Sequence, residues 1–304
     1  MDIYLPIANL SVNALVIIGL GGIVGLLSGM FGVGGGFLTT PLLIFYGIPP
    51  TVAAASAATQ VTGASVSGVF NHLTRKTVDI RMGWVMVVGG IIGALIGAVI
   101  FRLLESIGQM DTVIGILYVL MLGSIGTMMA KESIHALIIS ARGGRPAARK
   151  RRRHPLVTAL PMRWRFYASG LYMSPLAPLL LGIFSGIITM LMGIGGGFIL
   201  VPAMIYILGM STQVVIGTSL FQILFVTMVT TMTHAVTTHA VDLVLAFLLL
   251  IGSVVGAQVG ARISMTVRPE YLRVVLAFLV LVVAIRMALG LGWRPDEIYT
   301  VTAQ

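Results

Sequence analysis

The run Gly32-Val33-Gly34-Gly35-Gly36-Phe37 returns later in the chain as Gly193-Ile194-Gly195-Gly196-Gly197-Phe198. Each copy lies in an apolar stretch of membrane length and is followed, four residues after its phenylalanine, by a proline, Pro41 or Pro202. Glycine, aromatic and proline residues in the same order indicate an internal duplication. The chain is therefore predicted to consist of two related halves.

The duplication extends well beyond the glycine runs, because polar residues recur in the same order at nearly constant spacing. The matched pairs are Gln60 and Gln222, His72 and His234, and Asp79 and Asp242. Internal repeats of this length are typical of secondary transporters, whose substrate site lies between the repeats.

Composition places the chain in a membrane. It has 304 residues, of which 58% are hydrophobic and 9% are charged, and no soluble domain could hide so much apolar surface from water. The absence of cysteine excludes disulfides, thiolate metal ligands and cysteine nucleophiles. No basic segment precedes the first apolar stretch, so we expect that stretch to be retained and not cleaved.

The net charge of +10 arises largely from one segment. Nine of the 19 Lys and Arg residues, and no acidic residue, lie between Ser133 and Arg165. A short basic loop between spans is the positive-inside signal. We therefore expect a bacterial inner-membrane protein with a first transmembrane repeat at 1–130, a cytoplasmic linker at 131–165 and a second repeat at 166–304. A nucleic-acid-binding or regulatory patch is the alternative, and contact with anionic lipid headgroups explains the charge without it.

Apolar segments of about 20 residues, the length that a bilayer requires, predict three spans in each half. They are 51–70, 82–101 and 111–130, then 213–233, 243–261 and 272–291. The glycine runs lie in the remaining apolar segments, 12–46 and 171–208. Each of these is predicted to form a re-entrant hairpin, in which a long helix, a glycine break and a short helix enter and leave on one side.

Loop charges predict that the halves are inverted. The loop with Arg75, Lys76 and Arg81 is assigned to the cytoplasm, whereas its counterpart from His234 to Asp242 has no Lys or Arg and is assigned to the periplasm. The predicted fold is all-α, a polytopic membrane protein of two inverted repeats. Each repeat is a glycine-broken re-entrant helical hairpin followed by three transmembrane helices.

Glycine at a helix break has a physical reason. Half-helices that begin near Phe37 and Phe198 would present unpaired N–H groups and positive dipole ends to the membrane interior, where an anion can bind. The alternative is that these glycines only allow close helix packing. Spaced glycines serve that purpose, as we expect for Gly89, Gly93 and Gly97 and for their counterparts Gly252, Gly256 and Gly260.

The two glycine regions carry no formal charge. No Asp, Glu, Lys or Arg occurs at 3–74 or 166–241, so a ligand there would meet neutral groups. Amide and hydroxyl donors suit a small oxyanion, whereas a cation would need carboxylates. Intramembrane hydroxyls can also bond only to their own helix. The candidate substrate-binding residues are Gly34, Gly35, Gly36, Thr39, Thr59, Gln60, Gly195, Gly196, Gly197, Thr218, Ser219 and Gln222.

The duplicated glycine-rich hairpins with their following proline, the spans that carry Gln60 and Gln222, and the overall length resemble the TauE/SafE family of sulfite and organosulfonate exporters. The resemblance covers essentially the whole chain. It implies secondary transport of a small sulfur-containing anion such as sulfite, sulfoacetate or a related organic acid, most simply as an exporter with alternating access at the repeat interface.

A further set of residues could couple transport to the movement of protons. His72 and His234 titrate near neutrality, and Asp79 and Asp242 follow them closely in sequence, so the four could couple proton movement to transport. The alternative, which we favour, is that all four lie in loops on opposite membrane faces, where they cap the following helix and fix the topology.

Other function classes fit less well. The charge-free regions supply no acid, base or metal ligand for an enzyme, His135, His154 and His239 lack ligand-like spacing, and no phosphate-binding loop is present. We therefore expect no catalytic residue, cofactor or metal. An anion channel, or an uptake carrier for another small oxyanion, remains the alternative. The expected partners are the anion, membrane lipids and a second copy in a homodimer that small-residue faces would support.

Overall fold

A computed structural model of the chain describes residues 2–31, 36–141, 164–166, 169–266 and 269–292. This part contains ten α-helices and two short β-hairpins. The strands are β1 Asp2–Leu5, β2 Leu10–Asn13, β3 Trp164–Phe166 and β4 Leu171–Met173. The helices are α1 Ala14–Phe31, α2 Gly36–Phe45, α3 Pro50–Thr74, α4 Ile80–Ser106, α5 Met110–Ala141, α6 Leu176–Met192, α7 Gly197–Tyr206, α8 Thr212–Thr237, α9 Leu243–Thr266 and α10 Pro269–Gly292.

The all-α, multi-pass membrane class is confirmed. Among the described helices, α4, α5, α8, α9 and α10 are long and apolar enough to cross a membrane. The sixth predicted span corresponds to α3, which has 25 residues but carries Ser56, Gln60 and Ser65. These three side chains are buried, so α3 lies inside the bundle. Helix α5 continues to Ala141, so the first part of the predicted linker 131–165 is helical, and 142–163 lie outside the described residues.

The second glycine run breaks the helix as the sequence predicts. Helix α6 ends at Met192, and Gly193, Gly195 and Gly196 have φ angles of 72°, 78° and 75° before α7 begins. Side chains strongly disfavour this region of backbone space, so consecutive glycines serve the break itself. In the first half the break lies between α1 and α2, and Gly34 and Gly35 lie outside the described residues.

The first hairpin returns to the end of the bundle from which it starts. The Asn13 N–H, at the start of α1, donates to the hydroxyl of Tyr46, just after α2, over 3.4 Å. Helices α1 and α2 therefore turn back at the break, which is the geometry that a re-entrant hairpin needs.

The main helix pairs map onto one another when the two halves are exchanged. Helix α1 packs on α9 and its counterpart α6 packs on α4, while α3 packs on α8 and α5 on α10. Spaced glycines make these contacts close. A Cβ added to Gly93 would lie under 3.0 Å from the carbonyl of Ile183, and one added to Gly256 would lie as close to the carbonyl of Gly22. The packing predicted for the spaced glycines is confirmed.

The β-hairpins were not expected from the sequence. Each precedes the long helix of its half and has four residues between its strands, and the last of these, Asn9 or Gly170, has a positive φ of 52° or 64°. The β1–β2 hairpin packs with the end of α2 and the starts of α3 and α9. The β3–β4 hairpin packs with the end of α7 and the starts of α4 and α8. Each hairpin thus covers helices from both halves.

Candidate functional site

The two short helices meet at their first turns. The rings of Phe37 and Phe198, which occupy equivalent positions in the repeats, stack with centroids 4.5 Å apart and planes at 5°. Both side chains are buried. A Cβ on Gly36 would lie 2.6 Å from the carbonyl oxygen of Ile194, so the two glycine breaks touch each other. The breaks therefore lie together at the interface between the halves.

The carbonyl that the second break frees is satisfied by the other half. The oxygen of Met192 accepts hydrogen bonds from the hydroxyls of Tyr118 (2.7 Å) and Thr40 (3.2 Å). A helix end inside a membrane needs such partners. Tyr118 and Thr40 thus satisfy the carbonyl at which α6 ends and fix the position of the second break.

A small cavity lies beside the breaks in the first half. The hydroxyl of Thr39 donates to Oε1 of Gln60 over 2.9 Å, which leaves the amide nitrogen of Gln60 as a hydrogen-bond donor for the cavity. The cavity has a volume of about 50 Å³, enough for small polar molecules. Val61, which also lines it, packs against both Gly36 and Gly195. We call this cavity the first-half chamber.

The walls of the first-half chamber are neutral. Besides Gln60, the polar residues among its described lining are Ser28, Ser65 and Ser253, and none of the described lining residues is ionisable. The sequence did not single out Ser253, because the equivalent position in the first half is Gly90 and the polar residue is therefore not repeated. Hydroxyls and one amide make the chamber a hydrogen-bonding site with no net charge.

The equivalent region of the second half is filled. The amide nitrogen of Gln222 donates to Oγ of Ser185 over 3.2 Å, and its buried Oε1 has no hydrogen-bond partner among the described residues. Val226 occupies the position of Ala64 in the repeat, and a Cβ on Gly90 would lie under 3.0 Å from both Val226 and Gln222. The two halves therefore present an open site and a closed counterpart.

Among the described candidate residues, Gln60 alone lines the first-half chamber, and three of the others have hydrogen bonds that account for their side chains. The hydroxyls of Thr59 and Ser219 donate to carbonyls of their own helices. Thr218 accepts a hydrogen bond from the backbone N–H of Asp79 over 3.0 Å. A role for these three in substrate binding stays a prediction, and Gly34 and Gly35 lie outside the described residues. Gly197 is the first residue of α7.

Both histidines lie in helices, so their expected loop position was wrong. His72 is in the last turn of α3 and His234 in the last turn of α8. His234 is fully buried, with Nε2 3.0 Å from the carbonyl oxygen of Met190. His72 has its Nδ1 2.9 Å from the hydroxyl of Thr77. Neither ring contacts an aspartate in the described part of the chain, so no His–Asp pair is formed.

Asp79 connects the two halves as well as capping a helix. Its Oδ1 accepts from the Met82 N–H over 3.2 Å at the start of α4. Its Oδ2 accepts from the N–H of Ser169, over 3.0 Å, and from the Ser169 hydroxyl. Ser169 lies between β3 and β4. Asp79 thus ties the α3–α4 loop of the first half to the β-turn of the second.

Asp242 makes the same connection in the opposite direction. Its Oδ1 accepts from the Leu245 N–H over 3.1 Å, and its Oδ2 accepts from the N–H of Ile7, between β1 and β2, over 3.3 Å. The capping role expected for both aspartates is confirmed. Both aspartates are buried and make equivalent tethers between the halves, which indicates a structural role.

Replacing Asp79 with alanine is expected to lower the free energy of unfolding by about 3 kcal/mol, because a helix cap is lost and the partly buried donors on Ser169 lose a charged acceptor. The midpoint of thermal unfolding of the purified protein measures this. Glu105→Ala removes an exposed carboxylate from α4 and is the control. Equal midpoints for the two variants would contradict the tether.

Comparisons with known proteins agree with this architecture. A family model described as sulfite exporter TauE/SafE matches residues 17–287. The chain is 29% identical over 271 residues to the probable membrane transporter protein YjnA of Bacillus subtilis (strain 168), covering 89% of this chain and 98% of that protein. It is 29% identical over 225 residues to a probable membrane transporter protein of Xylella fastidiosa (strain 9a5c), covering 73% and 74%. Sulfite exporter TauE/SafE family protein 3 of Arabidopsis thaliana is 33% identical over 112 residues, 36% of this chain and 24% of that protein. No solved structure matches the chain.

Proposed function

We propose that this chain, which belongs to the sulfite exporter TauE/SafE family, is a secondary transporter that exports a small sulfur-containing anion across the bacterial inner membrane. The expected substrates are sulfite, sulfoacetate and related organosulfonates. Its relatives are named as membrane transporters, and five described helices can cross a membrane. The direction follows the description of the family.

The first-half chamber is the observation that carries the proposal. Its described polar lining consists of the amide of Gln60 and the hydroxyls of Ser28, Ser65 and Ser253, and none of the described lining residues is a carboxylate. The Ser253 hydroxyl already donates to the carbonyl of Leu250, so Gln60, Ser28 and Ser65 are the donors for an anion. A hydrogen bond to a charged group contributes about 1.5–3 kcal/mol, so several donors offset much of the cost of desolvating an oxyanion. The neighbouring glycine breaks add the partial positive charge of helix N-termini.

Two observations support alternating access. The fold is symmetric between the halves, and the first-half chamber differs from the filled equivalent region of the second half. Exchange of the halves maps the main helix pairs onto one another. The first half nevertheless has a cavity beside Gln60, whereas Val226 and Gln222 pack against Gly90 at the equivalent place in the second half. We infer that the halves are inverted in the membrane and that the open and filled arrangements interchange during transport. Such an interchange would move access from one membrane face to the other.

The inverted topology predicts opposite accessibility for two equivalent loop residues. Lys76 and His239 occupy matching positions after α3 and α8, with positive φ angles of 53° and 49°, and both are exposed. Because the chain has no cysteine, Lys76→Cys and His239→Cys can each be labelled without background. In intact cells, a membrane-impermeant maleimide is expected to label only His239→Cys.

Two controls accompany this labelling. Arg151→Cys, in the basic linker, should be protected in cells in the same way as Lys76→Cys, and permeabilised cells should show labelling of all three variants. Labelling of Lys76→Cys and His239→Cys from the same side would show parallel repeats and would refute the inverted arrangement.

Flux through proteoliposomes tests the function itself. We expect saturable uptake and counterflow of a sulfur oxyanion among sulfite, thiosulfate and sulfoacetate, with weaker transport of carboxylates of similar size. Flux that stays proportional to concentration and shows no counterflow would instead favour the channel-like facilitator. Absence of flux for every sulfur anion would refute the substrate class.

A further inference from the structure

A second and larger cavity lies apart from the first-half chamber. It has a volume of about 280 Å³ and is formed where the end of α2, the starts of α3 and α5 and the end of α10 meet. Its lining includes Phe45, Asp111, Arg286, Met287 and Leu291. None of the residues that line the first-half chamber contributes to it. We call it the Arg286 cavity.

The Arg286 cavity contains two opposite charges that do not pair with each other. Asp111 is in the first turn of α5, and Arg286 approaches from α10. In the described part of the chain no ion pair within 4.0 Å joins their side chains. The Arg286 guanidinium instead lies 5.4 Å from the ring centroid of Phe45. The cavity between the two charges therefore offers a separate donor and a separate acceptor.

The cavity lies near one end of two helices, α5 and α10, that are long and apolar enough to cross a membrane. Arg286 lies about 9 Å along the helix axis from Gly292, the last described residue of α10, at 1.5 Å per residue. Asp111 is the second residue of α5. Polar headgroups occupy roughly the outer 5–8 Å of each leaflet. Ile285 and Leu289, on the outer face of α10, are 58% and 53% exposed, as expected for side chains that contact lipid.

We propose that the Arg286 cavity binds a zwitterion that carries an oxyanion and a primary ammonium. Arg286 would donate to the oxyanion, Asp111 would accept from the ammonium, and Phe45 and Leu291 would contact the carbon chain between or beside them. A bare anion would be repelled by Asp111 and a bare cation by Arg286, whereas a zwitterion satisfies both. Guanidinium suits planar or branched oxyanions because its donors are arranged as a fork.

This chemistry has two sources, the headgroup of phosphatidylethanolamine and a water-soluble zwitterion. The site is independent of the transported anion, because it shares neither residues nor charge character with the first-half chamber. A bound zwitterion would bridge α5 of the first half and α10 of the second, which pack on each other. The ligand would thereby stabilise the contact between the halves.

Binding to the purified full-length protein tests the proposal. Calorimetry with O-phosphoethanolamine, ethyl phosphate and ethylamine measures the soluble form, and native mass spectrometry after exposure to phosphatidylethanolamine or phosphatidylglycerol measures the lipid. We expect one zwitterion to bind in preference to the probes that lack either charge. Arg286→Gln and Asp111→Asn should each weaken that binding about tenfold or more. Thermal unfolding of each variant verifies that it is folded.

Arg102→Gln and Glu105→Gln are the matched controls, because both residues are exposed on α4 and neither lines the cavity. Binding of O-phosphoethanolamine identifies a soluble ligand, and selective retention of phosphatidylethanolamine alone identifies the lipid. The proposal is overturned if neither zwitterion binds, if ethyl phosphate or phosphatidylglycerol binds equally well, or if the control variants lose as much binding. Sulfite flux is measured separately and does not depend on this result.

Discussion

Replacing Gly196 with valine is expected to lower transport about a hundredfold while the protein still inserts into the membrane. Gly196 has a φ of 75°, and an added Cβ would lie 3.1 Å from the Thr189 hydroxyl and 3.2 Å from Cβ of Ser185. A β-branched residue in this region costs roughly 1–3 kcal/mol or more. Insertion depends on the apolar helices and should persist. The second glycine break, which packs against the first-half chamber through Val61, would be displaced.

Transport in proteoliposomes, compared with the yield of detergent-extracted protein, measures the effect. A displacement that costs about 3 kcal/mol corresponds to roughly a hundredfold loss of activity. Gly108→Val is the matched control, because Gly108 has a φ of 73° in the α4–α5 turn, with no atom within 4 Å of an added Cβ. Equal losses in both variants would mean that backbone strain alone, and not the position of the break, explains the effect.

The elements that the sequence predicted well are those whose cause is local. Three adjacent glycines indicate a backbone that side chains cannot adopt, and the φ angles of Gly195 and Gly196 agree. Asp79 and Asp242 each precede an apolar run, which is the position of a helix cap, and both accept from an N–H of the first turn. Local geometry sufficed in each case.

The β-hairpins were missed because their strands have only three or four residues, too few for a clear alternating pattern. A turn signal was present nevertheless. Asn9 and Gly170 each follow a short apolar run and are residues that tolerate positive φ. Comparing the two halves at these positions would have strengthened the signal.

Contacts between the halves could not be read from the sequence. The stacking of Phe37 on Phe198 and the tether from Asp79 to Ser169 join residues far apart in the chain. Asp111 and Arg286 likewise approach each other only because α5 packs on α10. Sequence symmetry marks equivalent residues, but it does not reveal which helices of the opposite half they contact.

The difference between Gln60 and Gln222 follows from their neighbours. Thr39 supplies a donor to Oε1 of Gln60, whereas the equivalent position in the second half is Leu200, and Oε1 of Gln222 has no partner in the described structure. The two amides therefore do not present the same group to a ligand. Gln60 offers a donor to the chamber, which is the group that an oxyanion requires.

Replacing Gln60 with leucine is expected to weaken anion binding about ten- to a hundredfold, because a neutral donor to a charged ligand contributes roughly 1.5–3 kcal/mol. Gln60→Glu should bind more weakly still. Glutamate retains an acceptor for Thr39, so the local fold should persist, but its charge at about 4 Å from an anion costs on the order of 4 kcal/mol at an effective dielectric constant of 20. Binding affinity for the transported sulfur anion gives the measurement.

The order of affinities, wild type above Gln60→Leu above Gln60→Glu, separates the role of the donor from that of packing. Leucine fills similar volume without an amide, and glutamate keeps the shape but adds charge. Gln258 is exposed on α9, and Gln258→Leu and Gln258→Glu serve as controls. Both control variants should bind the anion with unchanged affinity. If Gln60→Leu bound the anion normally, or if Gln60→Glu still transported it, the amide would be a structural partner of Thr39 and the anion would bind elsewhere along the repeat interface.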